Sequence, residues 1–347
     1  MKKVAIIILT YNGEKYLPQL LGSVFNFPPT SVEFKVLIVD NYSSDQTVSY
    51  IAKHFPQVEI LAQKNNWGFA KGNNIGISFA LERGYDYVML LNQDTIVTDG
   101  YLDKLVQVID KDEQIAAVQP RLMLYPETEL VNSLGNVIHY LGFGYTYGHR
   151  LPLADLDSKH PLNYCSGAAC LIRCEALKKV GLFYEELFMY HEDLDLGWRF
   201  KLVGYRQQAV FESVVYHQYE FSRSIKKYYF MERNRFMVMF ANYSLLTLLL
   251  ICPMLLVMEL GLFLFSFKNG WWREKLKVYG YFFSRENWTK IRKQRQLVQN
   301  LRSVSEREVV ADFSGIIQHQ ELKSVSLELI NPFLYLYWFL IRSIIFW

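Results

Sequence analysis

Short hydrophobic runs alternate with helix-like segments along the first third of the chain, and this alternation restricts the fold more than any other feature. The β-rich runs are Val4–Leu9, Phe34–Val39, Val58–Leu61, Tyr87–Leu91 and Ala116–Gln119. The helix-like segments between them are Tyr16–Phe25, a stretch after the capping candidates Ser44 and Asp45, Ala70–Glu82 and Tyr101–Ile109. Strands buried on both faces that alternate with helices predict a mostly parallel sheet in a doubly wound α/β layer.

Polar residues follow each of the first four predicted strands. They read "TYN", "DNYSSDQT", "NNWGFAKGNN" and "NQDT" in chain order. Ligands of open α/β sheets bind beyond the carboxyl ends of the strands. The sequence therefore predicts a ligand site at this edge of the sheet.

Composition narrows the functional class. The chain has 347 residues, enough for one large domain or two modest ones, and its net charge of +3 gives no general signal for nucleic acid. Its four cysteines form no C-x-x-C pair and match neither a zinc site nor a disulfide framework, which predicts a reduced, cytosolic catalytic part. The start "MKKVAIIILTYNGE" imitates a signal peptide, but its apolar core is too short, so we interpret it as the first strand.

The last third is hydrophobic and basic. Leu245–Phe265 has roughly the 20 residues of a membrane helix, although polar and helix-breaking residues interrupt it, and Phe333–Trp347 is crowded with aromatic residues. Between them lies a basic stretch that only Glu274 and Glu286 oppose. Its members are Lys268, Arg273, Lys275, Lys277, Arg285, Lys290, Arg292, Lys293, Arg295 and Arg302. The basic stretch predicts binding to an anionic membrane surface or a polyphosphate, and the alternative is a solvated helix face. Together with the two hydrophobic segments, the pattern predicts membrane association, spanning or in-plane.

Asp94 is a candidate metal ligand because it ends a buried strand. Its neighbours Asn92 and Gln93 are amides, so it needs further oxygen or imidazole ligands to hold Mg²⁺ or Mn²⁺. His217 ends another apolar run, and a lone histidine there is more often structural unless the fold brings it beside Asp94.

The segment "YHEDLDLGWR" places Glu192, Asp193 and Asp195 at a predicted helix start. Capping and the helix dipole explain one or two of these acids, and Asp195 is spaced to pair with Arg199. A remaining carboxylate is a candidate general base.

The segment "NNWGFAKGNNIG" joins a strand to a helix. Its glycines allow backbone N–H groups to approach phosphate or sugar hydroxyls, and the alternative is a glycine-rich turn with asparagine at left-handed positions. It matches neither G-x-x-x-x-G-K-[ST] nor G-x-G-x-x-G, which argues against ATP and nicotinamide cofactors.

Taken together, the motifs resemble those of inverting family 2 glycosyltransferases, in particular a rhamnosyltransferase-like branch of polysaccharide-assembly enzymes. They are "IIILTYNG", "LIVDNYSSDQT", "NNWGFAKGNNIGI", "LLNQDT", "CSGAACLIR", "FMYHEDLDLGWR" and "VVYHQYEFS", in the family's order between residues 4 and 240. The resemblance implies a GT-A fold, with a Rossmann-like mixed sheet flanked by helices. We expect this catalytic domain at 1–240 and an α-helical, membrane-associated region at 241–347.

The resemblance also implies roles for individual residues. The nucleotide pocket would be lined by Thr10, Tyr11, Asn12, Asp40 and Asn41, with Asp40 accepting from the pyrimidine N3–H. The ribose and donor sugar would be bordered by Asn66, Gly68, Ala70 and Asn73, with Asn92, Gln93, Gly167 and Ala168 nearby. Asp193 would be the base, beside Glu192, and Asp94 and His217 would ligate Mg²⁺ or Mn²⁺. The first acid of the family's D-x-D motif is Asn92 here, which leaves more of the coordination to the donor diphosphate and His217.

The implied function is metal-dependent transfer of a sugar from dTDP-rhamnose or a UDP-sugar to a lipid-linked glycan acceptor, at the cytoplasmic face of the membrane. This activity would serve the synthesis of cell-surface polysaccharide such as O-antigen or cell wall. The alternative is a nucleotide-sugar-binding pseudoenzyme or scaffold. A sugar nucleotidyltransferase is disfavoured because "TYNGEKY" replaces the glycine-rich basic loop that it needs after the first strand.

Overall fold

The computed structural model describes residues 1–157, 160–219, 226–318 and 325–347. Its strands are β1 Lys2–Thr10, β2 Val32–Asp40, β3 Glu59–Ala62, β4 Tyr87–Asn92, β5 Thr95–Val97, β6 Ile115–Leu124, β7 Val131–Ser133, β8 Asn136–Ile138, β9 Gly144–Thr146, β10 Ala169–Arg173 and β11 Arg206–His217. The predicted strands of the first third are all present.

Eight strands form the main path of a mixed sheet in the order β3-β2-β1-β4-β10-β6-β11-β5, and β7 pairs with β6 at its side. Strands β3, β2, β1 and β4 are parallel, as the alternation predicts. Strand β10 runs antiparallel to both β4 and β6, and β5 runs antiparallel to β11. The architecture is therefore the mixed α/β sheet with flanking helices expected of a GT-A fold, and the parallel half carries the predicted ligand edge.

The helices are α1 Leu17–Asn26, α2 Thr47–His54, α3 Gly68–Glu82, α4 Tyr101–Ile109, α5 Cys174–Val180, α6 Glu192–Leu202, α7 Lys226–Asn242, α8 Leu245–Lys268, α9 Trp272–Tyr281, α10 Arg285–Leu301, α11 Glu306–Val309 and α12 Val325–Ile344. Two single 3-10 turns lie at Leu153–Asp155 and Glu185–Leu187. Of the two capping candidates of α2, Asp45 accepts the Thr47 N–H, and no such bond is made by Ser44. The sequence also predicts a helix at Ile225–Ala241, and α7 covers this segment from Lys226 onwards. Ile225 and residues 220–222 of the last motif lie outside the described residues.

The sheet's core explains why the first strands read as uninterrupted apolar runs. Ile6, Ile7 and Ile8 on β1 have no exposed surface, because helices cover both faces of the sheet. Burying such a side chain stabilises the fold by about 1.5–3 kcal/mol. Helix α4 places Leu102, Leu105 and Ile109 on one buried side, with the i, i+3, i+7 spacing that predicts it.

Two compact units divide the chain. One comprises residues 1–136, 146–200 and 205–220, and contains most of the sheet; the other comprises residues 137–145, 201–204 and 221–347, and contains α7 to α12. The predicted domain division between 240 and 241 stays a prediction.

Part of the basic stretch is internal, which corrects the expectation of a surface patch. Lys275 is fully buried and pairs with Glu232 and Glu259. Arg295 donates to the carbonyl of Tyr243 at 2.7 Å, and Arg302 donates to that of Asn242 at 2.7 Å. The basic residues that remain exposed are Lys268, Arg273, Lys277, Arg285, Arg292 and Lys293.

Helix α8 is the one helix, among the residues that the structure describes, with the length and apolar composition to cross a membrane. Its most apolar window has a mean hydropathy of 2.5, and 11% of that window is buried. Length and composition alone do not distinguish a spanning helix from one that lies in the membrane surface.

Candidate active site

The carboxyl ends of β1, β2 and β4 meet as predicted. The register pairs Thr10 with Asp40, and Leu9 with Asn92. The Thr10 hydroxyl donates to Asp40 Oδ1 at 3.2 Å, and the Ser43 N–H donates to Asp40 Oδ2 at 3.1 Å. Asp40 is buried, and these two donors fix the orientation of its carboxylate.

The loop after β1 is braced from two sides. The Tyr11 N–H donates to Gln93 Oε1 at 2.9 Å, and Gln93 Nε2 donates back to the Tyr11 carbonyl at 3.3 Å. Asn12, at φ 50°, accepts from the Ser44 N–H at 2.9 Å. Gln93 thus holds a loop in place, and the Tyr11 side chain remains 47% exposed.

Asn41 organises the glycine-containing loop before α3. Its Oδ1 accepts from the Trp67 N–H at 2.8 Å, and its Nδ2 donates to Asn66 Oδ1 at 3.0 Å and to the Gly68 carbonyl at 3.1 Å. Asn41 is itself buried. Its amide therefore sets the shape of this loop.

The start of α3 does not offer its amides to a phosphate, contrary to the expectation for this segment. The N–H groups of Phe69 and Ala70 donate to the Phe188 carbonyl at 2.6 and 3.1 Å. The Gly68 N–H donates to Asn66 Oδ1 at 2.9 Å. Ala70 and Asn73 are buried, and Asn73 Nδ2 donates within its own helix to Phe69 at 3.0 Å.

Asp94 and His217 converge, although they come from distant parts of the sequence. Strand β11 pairs His217 with Thr95 on β5, immediately after the Asp94 turn. His217 Nε2 lies 3.3 Å from Asp94 Oδ1, and the side chains are 7% and 27% exposed. The condition that would make His217 more than a structural histidine is therefore met.

Asn132 on β7 orients this histidine. Its Oδ1 lies 2.9 Å from His217 Nδ1, and Asn132 is 5% exposed. An amide oxygen there accepts Nδ1–H, which leaves the Nε2 lone pair directed towards Asp94. The sequence did not predict a role for Asn132, because residues 126–165 show no hydrophobic periodicity from which a strand or helix could be assigned.

The Asp94–His217 pair suits a divalent ion. The 3.3 Å separation of the two atoms is near the roughly 3.0 Å between adjacent ligands of an octahedral ion with bonds of about 2.1 Å. Within the described residues, no cluster of three or more His, Cys, Asp or Glu side chains could hold a metal. The pair thus fits an ion whose remaining ligands come from elsewhere, as a diphosphate supplies.

The three acids at the start of α6 have separate environments. Asp195 pairs with Arg199 at 2.9 Å, and both are buried, as their spacing predicts. Arg199 also donates to the Val180 and Leu182 carbonyls, each at 2.8 Å. Asp195 is therefore a structural residue that anchors α6.

Asp193 is half-buried and accepts two backbone N–H groups. Gly167 donates to its Oδ2 at 3.2 Å, and Leu194 donates to its Oδ1 at 2.8 Å. Burial raises the pKa of Asp193 above the usual range, and the N–H donors oppose this rise. A carboxylate with a raised pKa is suited to accept a proton.

Glu192 is 6% exposed, and its Oε2 has no hydrogen-bond partner among the described residues. Burial, together with repulsion from Asp193, raises the pKa of Glu192 well above the usual range. The protonated form is therefore favoured, and Glu192 is poorly placed to be the base itself.

The "CSGAA" loop connects the two halves of the candidate site. The Gly167 N–H bonds Asp193, and the Ala168 carbonyl accepts from the Asn92 N–H at 2.8 Å. Phe188, the first residue of the motif "FMYHEDLDLGWR", makes a second connection, to the start of α3, and the sequence did not predict this contact. The candidate donor loops, the Asp94 turn and Asp193 therefore form one hydrogen-bonded assembly.

The family model for Glycosyl transferase family 2 matches residues 5–181, about half of the chain. The chain belongs to glycosyltransferase family 2. This glycosyltransferase is 28% identical to N-acetylglucosaminyl-diphospho-decaprenol L-rhamnosyltransferase of Mycobacterium tuberculosis, over 61% of this chain and 75% of the relative. It is 26% identical to rhamnosyltransferase WbbL of Escherichia coli K12, over 60% of this chain and 80% of the relative. The resemblance to a rhamnosyltransferase-like branch is thereby confirmed.

Solved structures share the fold of the glycosyltransferase. S. aureus TarS 1-349 in complex with UDP-GlcNAc matches with a TM-score of 0.52 and 19% identity, over 99% of this chain and 89% of that one. GalNAc-T7 with UDP, GalNAc and Mn2+ matches with a TM-score of 0.54 and 16% identity, over 70% of this chain and 48% of that one. These likenesses agree with the predicted GT-A architecture.

Proposed function

We propose that this glycosyltransferase is a metal-dependent, inverting enzyme that moves a sugar from a nucleoside diphosphate to a hydroxyl of a lipid-linked glycan, for cell-surface polysaccharide. One observation carries the proposal. A short loop joins the residue proposed as base to the strand end proposed to hold the metal, through Gly167 to Asp193 and Ala168 to Asn92. This arrangement suits a reaction that needs both groups around one sugar.

The donor would lie along the ends of β1, β2 and β4. Asp40 would accept from the pyrimidine N3–H, in a pocket with Thr10, Tyr11, Asn12 and Asn41. The sugar would be bordered by the loop and helix residues Asn66, Gly68, Ala70 and Asn73, and by Asn92, Gln93, Gly167 and Ala168. The printed names of the curated relatives favour rhamnose, with dTDP-rhamnose as the first donor to test and UDP-sugars as the next.

The protein groups that would hold a divalent ion are Asp94 and His217. When bound, Mg²⁺ or Mn²⁺ supplies Lewis-acid stabilisation of the negative charge on the departing nucleoside diphosphate. Asn132 keeps the His217 Nε2 lone pair directed at Asp94, and Gln93 keeps the neighbouring β1 loop in place. Asn132 and Gln93 would therefore position other groups of the site.

Asp193 is the proposed base. Its carboxylate takes the proton of the acceptor hydroxyl as that oxygen attacks the anomeric carbon from the face opposite the diphosphate. The bond between the anomeric carbon and the diphosphate oxygen breaks, and its electron pair stays on the diphosphate. Because the acceptor oxygen enters from the opposite face, the configuration at the anomeric carbon inverts. The N–H groups of Gly167 and Leu194 hold Asp193 in a fixed orientation, and such a base contributes about 10²- to 10⁴-fold to the rate.

We place the enzyme at the cytoplasmic face of the cell membrane. The support is the apolar helix α8 and the printed name of the mycobacterial relative, whose acceptor is linked to decaprenol diphosphate. A polyprenyl-linked acceptor stays at a membrane surface, so an enzyme that binds this surface meets its acceptor there.

The experiment is a donor panel with purified, detergent-solubilised protein. Release of nucleoside diphosphate is measured with Mn²⁺, with Mg²⁺ and with chelator, in the presence of a lipid-linked acceptor extract. Metal-dependent release from one donor, lost in both Asp94→Ala and Asp193→Asn, is the expected result. Asp99→Ala is the matched control, because Asp99 is an exposed acid near the same turn.

Two results would overturn the proposal. Full release in chelator would remove the metal requirement, and unchanged release by Asp193→Asn would remove the base. Nucleotide binding without release from any donor would support the pseudoenzyme alternative.

A further inference from the structure

Helix α8 has two opposite sides along its whole length. The protein buries Thr247, Ile251 and Met258 on one side. The other side exposes a row of apolar residues, which we call the α8 row: Leu249 (70%), Leu256 (65%), Leu260 (63%) and Phe267 (62%). These four residues lie at nearly the same angle around the helix axis, because an α-helix turns about 100° per residue.

The ionisable residue within the apolar run points inwards. Glu259 pairs with Lys275 at 2.7 Å and with Arg235, and it accepts from the Tyr279 hydroxyl at 3.1 Å. Glu232 completes the cluster by pairing with Arg235 at 3.0 Å. Removing α8 from this cluster would leave buried charges without partners, which is strongly destabilising in proteins. The cluster therefore fixes which side of α8 is exposed.

The helix that packs on α8 carries an exposed charge. Lys277 on α9 is 64% exposed and pairs with Glu274 of the same helix at 2.7 Å. It lies between Lys275 and Tyr279, both of which contact Glu259 in the middle of α8. A charge at the centre of a bilayer is costly, so hydrocarbon cannot surround α8 and α9 at this level. This geometry opposes a spanning orientation.

Helix α12 repeats the pattern. It buries Leu334, Trp338 and Ile341, and it exposes a row that consists of Phe333, Leu336, Leu340 and Ile344. The Tyr337 hydroxyl donates to the Leu250 carbonyl at 2.6 Å, which joins α12 to α8. Two joined helices thus each present a long apolar side to solvent, which is a feature of interaction surfaces rather than of free protein surface.

We infer that α8 and α12 lie in the plane of one leaflet of an anionic phospholipid bilayer, with the α8 row in the acyl boundary, and that neither helix crosses the membrane. The inference rests on the proposed function only for the location at a membrane. It adds the orientation of α8 and α12 in that membrane. Charge favours an anionic lipid, because the charged residues that are exposed at the end of α8 and on α9 are all basic: Lys268, Arg273 and Lys277. The depth of a helix in this position is about 5–10 Å.

Depth measurements on the full-length protein test the orientation. Cys252 is exposed and the other three cysteines are buried, so a Cys252→Ser background leaves no accessible thiol among them. Leu249→Cys, Leu260→Cys and Phe267→Cys are each labelled with an environment-sensitive fluorophore. Quenching by lipids with nitroxides at different acyl positions then reports depth, in phosphatidylcholine–phosphatidylglycerol vesicles.

Equal, shallow depth at the three positions is the expected result. A spanning helix would instead separate Leu249 and Phe267 by about 27 Å along the membrane normal, since each residue adds 1.5 Å. Graded depths would overturn the inference.

Vesicle flotation tests whether the row is the contact. Leu256→Glu combined with Leu260→Glu is expected to weaken binding by about 100-fold or more, since each substitution removes a buried leucine from the interface. Leu297→Glu on α10 is the matched control, because Leu297 is 55% exposed and lies outside the row. Vesicles of phosphatidylcholine alone are expected to bind the native protein more weakly.

The competing occupant is a second copy of the chain. If the native protein ignores vesicles but sediments as a dimer that the double variant splits, the row is a protein interface and the inference is wrong. Nucleoside diphosphate release in detergent is recorded for every variant. Loss of vesicle binding with normal release affects only the membrane inference, and vesicle binding without release affects only the proposed reaction.

Discussion

His217 Nε2 lies 3.3 Å from Asp94 Oδ1, and a third residue, Asn132, orients the His217 ring. The other ring nitrogen of His217 lies 2.9 Å from Asn132 Oδ1. The antiparallel pairing of β5 and β11 brings the two candidate ligands together, while β7 supplies the group that orients the ring. Three separate parts of the chain are thus needed for one pair of ligands.

Asn132→Leu is expected to lower the affinity for Mn²⁺ by about 10- to 100-fold, the usual effect of losing a partner of a ligating histidine. Without the amide oxygen, the proton of His217 is free to move to Nε2, the atom that must ligate the metal. Mn²⁺ titration followed by electron paramagnetic resonance measures the affinity directly. Asn132→Asp keeps an acceptor and should retain binding; equal affinities in the native protein and Asn132→Leu would contradict the role of Asn132.

We expect kcat/KM to fall on the acidic side of its pH profile, and this acidic limb should lie at a higher pH than the pKa of an ordinary aspartate, because Asp193 is the proposed base. The base acts as a carboxylate, and burial raises the pKa of Asp193. Activity is therefore present above that raised pKa and is lost as pH falls through it, whereas an ordinary aspartate has a pKa of about 3.9. A profile of kcat/KM against pH measures this limb.

Asp193→Asn should remove the limb and lower kcat by about 10²- to 10⁴-fold, with donor affinity unchanged. Asp195→Asn is a useful comparison, because Asp195 anchors α6 through Arg199. It should reduce stability and leave the position of the limb unchanged. A limb that persists in Asp193→Asn would assign it to another group.

Glu192→Gln should be more stable than the native protein, by a free energy of unfolding that grows as pH rises. Burial raises the pKa of Glu192 in the folded protein above its unfolded value of about 4.3. Below the unfolded pKa the carboxyl is protonated in both states and has no effect. As pH rises beyond that value, the unfolded state releases its proton first, so native stability falls until the folded pKa is passed.

Glutamine keeps the shape without the ionisation, so the stability difference in favour of Glu192→Gln should grow with pH. Urea unfolding at several pH values measures this difference. Glu113→Gln provides the control, because Glu113 is exposed. A variant that is less stable than the native protein near neutral pH would show that Glu192 is held as a stabilising carboxylate.

Local patterns predicted much of the fold. Tyr101–Ile109 is helical at the predicted residues, and each predicted strand of the first third is present, because burial on one or both faces leaves a period in the sequence. The spacing of Asp195 and Arg199 likewise predicted a contact within one helix. Contacts within one helix or strand can therefore be predicted from the spacing of residues in the sequence.

Contacts between distant segments were not predictable in this way. Nothing in the sequence around Asn132 indicates that it meets His217, and nothing around Phe188 indicates that its carbonyl caps α3. The basic stretch was misjudged for a related reason: composition shows that Lys275 is charged but not that it points inwards to Glu232 and Glu259. The resemblance named the candidate ligands, and their juxtaposition required the three-dimensional pairing of strands.

Gly68→Ala should disconnect the donor loop from the segment that carries Asp193. Gly68 has φ +74°, and an added Cβ would lie 2.5 Å from the Phe188 carbonyl oxygen. That oxygen accepts the N–H groups of Phe69 and Ala70, so the clash displaces the connection between the two segments. We expect lower stability, by roughly 1–3 kcal/mol for a strained backbone position, and a reduced kcat/KM for the donor.

Gly84→Ala separates strain from the clash. Gly84 has nearly the same backbone, at φ +69°, but an added Cβ would meet nothing within 4 Å. This variant should lose stability through the unfavourable φ alone and should retain native kcat/KM. Thermal unfolding and donor turnover, measured on both variants, make the comparison. If the two lose activity equally, or if Gly68→Ala loses none, the Phe188 connection does not support the donor site.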